Sequence, residues 1–388
     1  MAKVKIVRAT TVPLSLYMFC KDMLRELSEK YEVIGLSSPG WELDAVAERE
    51  GVKVIPVPME RRISIVKDCK TLCKIWRVFC KEKPIMVHSM TPKAGLMCMM
   101  AGMLARVPVR VHTFTGLVFP TATGLKRKIL LFTDWLTCAC ATHIIPEGEG
   151  VKNDLLNNKV TKKPLKVLGY GNIRGVDLNF CSRRPKVMDI VAKKAMKSEN
   201  VFTFLFVGRI VGDKGINELC SAFCRLHSQY PDTRLWLVGD FEDNLDPVSD
   251  KTKELINNRS NCIETHSWMN GDELLACYAG ADCYVHPSYR EGFPNTVLEA
   301  GAMGLPSIVT DINGSREIII EGQNGTIVPP KSEQALYDAM CRMINDVTWR
   351  ETMASNARKM IADRFEQSYV RKCLYDFYDE ILKDKGLA

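Results

Sequence analysis

The sequence has no C-x-x-C pair and none of the tight cysteine spacings that frame a disulfide scaffold or a zinc site. Its fifteen cysteines are scattered through apolar segments, as at Cys69, Cys73 and Cys80, or Cys220 and Cys224. Cys138 and Cys140 are the closest pair and read as helix packing. In a reducing compartment such residues act as small core hydrophobes. Long apolar runs are also missing. The longest stretches free of Lys, Arg, Asp and Glu include residues 94–105 and 111–125, and both fall short of the ~18 residues of a spanning helix. The N-terminus, Met1 to Val7, reads as a strand and lacks the apolar core and cleavage site of a signal peptide. Together these point to a cytoplasmic protein. There is no Walker loop, no G-x-G-x-x-G, no H-E-x-x-H, no D-x-D and no G-x-S-x-G. ATPase, dinucleotide, metal and serine-hydrolase readings are therefore weak. No short repeat period is visible.

What is present is an ordinary globular composition. The chain has 388 residues, 46% hydrophobic and 26% charged, a length that suggests two domains. The net charge of +7 hides a split. Residues 1–186 hold 31 Lys and Arg against 16 Asp and Glu, whereas residues 187–388 hold 22 against 30. A half carrying +15 suggests an anionic partner: nucleic acid, a phosphorylated substrate or an anionic membrane surface.

Apolar runs alternate with amphipathic helical patterns. Strands are expected at 4–9, 32–36, 52–57, 85–89, 109–114 and 143–146, with helices at 14–30, 64–81 and 92–106 between them. The rhythm stops at 166–177, where three glycines in seven residues suggest a hinge. It restarts with strands at 202–207, 234–238, 262–266, 283–286, 307–310 and 326–328, with helices including 216–227 and 294–303. After Pro330 the chain reads as helical. The fold class is α/β: two doubly wound, Rossmann-like domains facing across a cleft, then C-terminal helices. Domains are expected at 1–170, 171–366 and 367–388, the last a helix packing back on the first domain. Ligands of such sheets sit at the carboxyl ends of strands.

Two segments follow such strand ends. One runs from His286 through Glu291, Gly292, Phe293, Pro294 and Asn295 to Glu299. Gly292 suits a turn and Pro294 a first helical position. Backbone amides there would face an anion or a ring of hydroxyls. Glu299 is flanked by Val297, Leu298 and Ala300, so its carboxylate needs a partner. The other segment runs from Val207 through Gly208 and Arg209 to Lys214 and Gly215. It sets two cations near a strand end and a helix start, a natural place for a diphosphate. Two histidines, His88 and His112, end strands in the first half, where a ring could donate to phosphate or sugar oxygens. The plainer readings are a solvated loop, a surface charge and satisfied structural histidines; the combination argues against them, more for His112 than for His88.

The combination resembles glycosyltransferase family 4, retaining nucleotide-sugar transferases of GT-B fold. The carrying residues are Glu291 and Glu299 as E-x7-E, Val207-Gly208-Arg209 with Lys214-Gly215, and residues 311–317 with Asn324-Gly325. Residues 88–95 and 112–116 resemble the branch that builds capsule, O-antigen and related glycans on a polyprenyl-diphosphate lipid. The resemblance implies that Arg209 and Lys214 hold the donor diphosphate and Glu299 the ribose hydroxyls. Glu291, with Gly292, Phe293, Pro294 and Asn295, would grip the donor sugar, His112 would sit by sugar and phosphate, and Thr11 would stand in the first phosphate loop. It implies a UDP-sugar donor, a polyprenyl-diphosphate-linked acceptor, and neither metal nor other cofactor. One departure is Thr10-Thr11-Val12, where the family often carries paired glycines.

Two alternatives stand beside this: a GT-B nucleotide-sugar epimerase, and a non-catalytic basic module for nucleic acid. The latter needs aromatics interleaved with cations. Trp76 and Phe79 fall instead on the expected apolar face of their helix, so no nucleic acid is expected. A lipid-linked acceptor implies a peripheral location on the inner face of the membrane. Lys67, Lys70, Lys74, Arg77 and Lys81 recur at helical spacing. With Arg61, Arg62 and 126–128 they are expected to face anionic lipid, while Ile65, Val66, Cys69, Leu72, Cys73, Trp76, Phe79 and Cys80 form the apolar side.

Overall fold

The computed structural model describes residues 3–60, 64–198, 200–242 and 246–387. Arg61 and Arg62 of the expected basic patch lie outside the described residues. The chain divides into one unit of Met1–Arg174 with Tyr369–Ala388, and a second of Gly175–Ser368. These divisions fall four and two residues after the expected breaks at 170 and 366.

The first unit carries β1 (Lys5–Ala9), β2 (Glu32–Ser37), β3 (Lys53–Pro56), β4 (Met86–Met90), β5 (Val109–Phe114) and β6 (His143–Pro146). They form one parallel sheet in the order β3-β2-β1-β4-β5-β6. The second unit carries β7 (Phe202–Val207), β8 (Thr233–Val238), β9 (Ile263–His266), β10 (Cys283–His286), β11 (Ser307–Thr310) and β12 (Gly325–Val328). Its order is β12-β11-β10-β7-β8-β9, again all parallel. The order in which strands are added reverses once in each sheet, between β1 and β4 or between β7 and β10. Loops diverge there, leaving a crevice at the carboxyl ends.

The strands read as apolar runs because both faces are covered. Side chains alternate across a strand. Thus Phe204 and Phe206 enter one core of the second unit, while Leu205 and Val207 enter the other. Ile6 and Val7 divide in the same way in the first unit. Arg8 is the buried polar exception within β1. Fully buried, it donates from Nη1 to Tyr378 Oη at 2.6 Å and to His88 Nδ1 at 2.5 Å. Tyr378 belongs to the helix Gln367–Asp384, whose Leu374, Phe377, Ile381 and Leu382 complete a core of the first unit.

Two expectations are corrected. The helix expected at 14–30 is two helices, Pro13–Phe19 and Met23–Lys30. Asp22 between them has φ +62°. The buried carboxylate of Glu50 accepts from the amides of Asp22 (2.9 Å) and Arg25 (3.1 Å), and so caps the second helix from a distant part of the chain. The second correction concerns the helix Ile65–Glu82. It buries only Thr71, Ile75 and Phe79 fully, while Cys69, Cys73, Trp76 and Cys80 are exposed. Those cysteines are not core residues, because the stripe turned to the sheet is too narrow to include them. Cys138, Cys140, Cys220 and Cys224 are buried.

Candidate active site

In the second unit, the loops leaving β7 and β10 meet at the reversal of strand order. After β7 the chain runs through Gly208 and Arg209 to a single tight turn, Gly212–Lys214, and then the helix Ile216–Gln229. After β10 it runs through Glu291 to the helix Asn295–Ala302, with Pro294 as its cap residue rather than its first helical one. Two glycines fix how closely the segments approach. Gly215 has φ +71°, and a Cβ there would lie 2.1 Å from the Pro287 carbonyl oxygen. Gly314, in the loop after β11, has φ +73°, and a Cβ would lie 2.4 Å from the Gly292 carbonyl oxygen. Only glycine tolerates both the left-handed backbone and the contact.

Glu291 and Lys214 form an ion pair at this point, each side chain 16% exposed. The same Glu291 oxygen accepts from Ser288 Oγ at 2.9 Å and from His286 Nε2 at 3.0 Å. His286 Nδ1 in turn faces the Tyr284 hydroxyl at 3.2 Å. Burial pushes the Glu291 carboxyl up, but Lys214 and His286 outweigh it and hold it well below the usual carboxylate range. Burial holds His286 below the ordinary histidine value, so it donates as a neutral imidazole. The result is an anchored carboxylate beside a nearly buried ammonium.

Arg209 is more open, 48% exposed, and meets Glu242 at 2.8 Å. Exposed pairs of this kind contribute ~0–1 kcal/mol, so the guanidinium is free to exchange its partner. Glu299 has the partner its apolar setting demands: Oε2 accepts from the Tyr278 hydroxyl at 3.4 Å. Burial first, and the nearby Glu299 charge second, raise the Tyr278 hydroxyl well above its ordinary value. Phe293 and Pro294 are buried, Gly292 and Asn295 partly so.

The second unit thus brings together Glu291, Lys214, Arg209, Glu299 and residues 292–295. Thr11 and His112 belong to the first unit. Thr11 lies two residues beyond β1, and its hydroxyl accepts from the Ala94 amide at 3.1 Å, capping the helix Pro92–Leu104. His112 does not reach a surface. Its ring is 1% exposed, faces Gly95, and meets Ser89 Oγ through Nδ1 at 2.9 Å. Burial pushes it down to about 3, so it is neutral at pH 7. His88 is equally buried, between Arg8, Tyr378 and Thr113. Among the described residues no group of three or more His, Cys, Asp or Glu could hold a metal ion. Sequence reasoning passed over His286, Ser288 and Tyr278. The available signal for His286 was a polar ring at the end of an apolar strand, five residues before Glu291.

Two Rossmann-like units, with a cation–carboxylate site at the strand ends of the second, make up a GT-B fold. The model "Glycosyl transferases group 1" matches residues 188–360, and "Glycosyl transferase 4-like domain" matches residues 20–171. The chain belongs to glycosyltransferase family 4. It is 30% identical to the capsular polysaccharide biosynthesis glycosyltransferase CapM of Staphylococcus aureus, over 84% of this chain and 85% of that one. It is 27% identical to the UDP-Gal:alpha-D-GlcNAc-diphosphoundecaprenol alpha-1,3-galactosyltransferase of Escherichia coli, over 87% and 86%. The fold matches that of Anabaena HepE, crystallised with UDP and glucose, with a TM-score of 0.81 at 18% identity, over 97% and 100% of the two chains.

Proposed function

We propose that the protein transfers a sugar from a UDP-sugar, with retention at the anomeric carbon, to a polyprenyl-diphosphate-linked saccharide in capsule, O-antigen or related glycan synthesis. The observation that carries the reading is the anchored Lys214–Glu291 pair beside Arg209 and Glu299. A diphosphate arriving at Lys214 and Arg209 replaces carboxylate partners with phosphate oxygens. Sugar hydroxyls arriving at Glu291 replace the ammonium as donors. Each buried charge keeps a partner, which offsets the cost of opening the pair. Glu299 accepts from the ribose hydroxyls, and the backbone of 292–295 cradles the sugar.

In the reaction the bond between the anomeric carbon and the diphosphate oxygen breaks. A bond to the acceptor hydroxyl oxygen forms on the same face, and the acceptor proton passes to the departing phosphate oxygen. Lys214 and Arg209 stabilise the charge that builds on that oxygen. His112, buried and neutral, acts as a positioning residue for Ser89 at the end of β4, and Thr11 holds the neighbouring helix start. The reading needs no metal. The donor and acceptor classes are supported by what the E. coli relative is named for, and capsule synthesis by the S. aureus one. A polyprenyl acceptor calls for peripheral docking on the cytoplasmic face of the membrane. Among the described residues no helix is long and apolar enough to cross one.

The test is a panel of nucleotide sugars screened for thermal stabilisation. A donor at about 100 times its Kd adds about 2.7 kcal/mol to stability. One or two UDP-sugars should stand clear of the rest and of other nucleotides. A panel in which no uridine nucleotide raises Tm would overturn the reading.

A further inference from the structure

Three helices of the first unit cover one face of its sheet: Ile65–Glu82, Pro92–Leu104 and Gly124–Cys140. The middle one packs against both others. The outer side of this layer is unlike an ordinary solvated face. On the first helix, Ile65, Cys69, Cys73, Trp76 and Cys80 recur at intervals of four, four, three and four, and all are exposed, Ile65 by 78%. On the third, Leu125, Ile129, Phe132 and Trp135 form a second exposed stripe, Leu125 by 73% and Phe132 by 59%. Phe132 and Trp135 stack on each other with ring centroids 5.7 Å apart. Met103 and Leu104 at the end of the middle helix are exposed too. Exposed apolar surface collected on adjoining helices marks an interaction face.

The charges on these helices are mostly positive, nine Lys and Arg against three Asp and Glu. Lys67, Lys70, Lys74, Arg77 and Lys81 form a third stripe on the first helix, all exposed. Only Lys67 has an ion-pair partner among the described residues, Glu60 at 2.5 Å. Lys126 and Lys128 flank the apolar stripe of the third helix. The acids of the three helices are engaged or muted. Asp68 holds Lys93 at 2.5 Å, and Glu82 holds Lys53 and Lys5. Asp134 is half-buried, and burial pushes its carboxyl up to about 7.

We propose that this three-helix face docks on an anionic lipid bilayer, with the Cys69–Trp76–Cys80 and Leu125–Trp135 stripes entering the headgroup layer and the lysine stripe meeting lipid phosphates. Apolar side chains beside a row of cations match the two components of such a surface. An acidic protein would satisfy the cations but not the two parallel apolar stripes, so lipid is the favoured occupant. The proposal gives the expected membrane partner a defined surface. It does not rest on the donor reading, because docking needs no nucleotide.

The exposed cysteines supply the test. The full chain is treated with N-ethylmaleimide at low salt, with and without phosphatidylglycerol vesicles, and modification is read by mass spectrometry. Cys69, Cys73 and Cys80 should be modified at least about tenfold more slowly on vesicles, because their stripe leaves water. The partly exposed Cys341 and Cys373 should be unchanged. Phosphatidylcholine vesicles, or about 0.5 M salt, should largely remove the protection. Two variants separate the components, their circular dichroism and melting curves establishing the fold. Lys67→Gln with Lys70→Gln, Lys74→Gln and Lys81→Gln should weaken vesicle partition on the order of 100-fold. Phe132→Ser with Trp135→Ser should weaken it at least about tenfold. Equal modification with and without vesicles overturns the proposal. So does equal partition of the parent and both variants, or protection that appears only with an added acidic protein.

Discussion

The state of the Glu291 carboxylate follows from four neighbours. Lys214, His286 and Ser288 give it three donors, and Tyr284 orients the histidine. Removing Lys214 alone leaves a buried charge with neutral donors only, so Lys214→Met should cost about 3–5 kcal/mol in urea unfolding. Adding Glu291→Leu should recover most of that stability and none of the activity. If the double variant is no more stable than the single one, the pair does not have the buried character described. The spacing of Glu291 and Glu299 made both legible in the sequence. Their supports were not, because His286 and Tyr278 reach them only once β10 and the helix Gly271–Gly280 are in place.

Acid stability carries a second residue-scale signature. His112 titrates near 3 when folded and near 6.5 when unfolded. Between those values the unfolded chain binds the extra proton, so stability is full above about pH 6.5 and falls as pH is lowered towards 3. The slope from this residue approaches about 1.4 kcal/mol per pH unit. Glu291, held low, acts in the same direction but only below the ordinary carboxylate range. His112→Asn should therefore flatten the loss of stability between pH 6.5 and pH 5, read by urea unfolding at each pH. An unchanged slope would mean that the ring is protonated in the folded chain.

Among the elements, the strands were the most legible part of the sequence. β5, β6, β7, β10 and β11 have the expected bounds, because a strand buried on both faces is an unbroken apolar run. Helix ends and faces were less legible, since distant residues set them. Glu50 ends one helical pattern at Asp22, and Thr11 caps a helix eighty residues away. The helix Ile65–Glu82 has apolar residues on two faces, and composition does not say which one meets the sheet. The loops at the site are fixed by glycines whose need shows only in three dimensions. Gly314→Ala should cost about 1–3 kcal/mol and shift residues 292–294, weakening sugar-nucleotide binding together with Tm. Donor affinity unchanged against a lowered Tm would separate Gly314 from the site.

For the whole molecule, the alternation of short apolar runs and amphipathic patterns predicted both six-stranded sheets. Nine of the 31 cations of residues 1–186 lie on the three helices 65–82, 92–104 and 124–140. Activity, by the account given, persists in excess chelator, and restoration of a lost activity by magnesium or manganese would contradict it. The central claim is that the segment after β10 divides a sugar nucleotide between its two glutamates, Glu299 taking the nucleoside and Glu291 the sugar. Calorimetric titration of UDP and of the best UDP-sugar into the parent, Glu299→Ala and Glu291→Ala tests it most directly. Glu299→Ala should weaken both ligands by roughly ten- to a hundredfold, the loss of a charge-assisted bond worth ~1.5–3 kcal/mol. Glu291→Ala should leave UDP unchanged and abolish the difference between UDP and the sugar donor. UDP bound equally well by the parent and Glu299→Ala, or a sugar contribution that survives Glu291→Ala, would contradict the account.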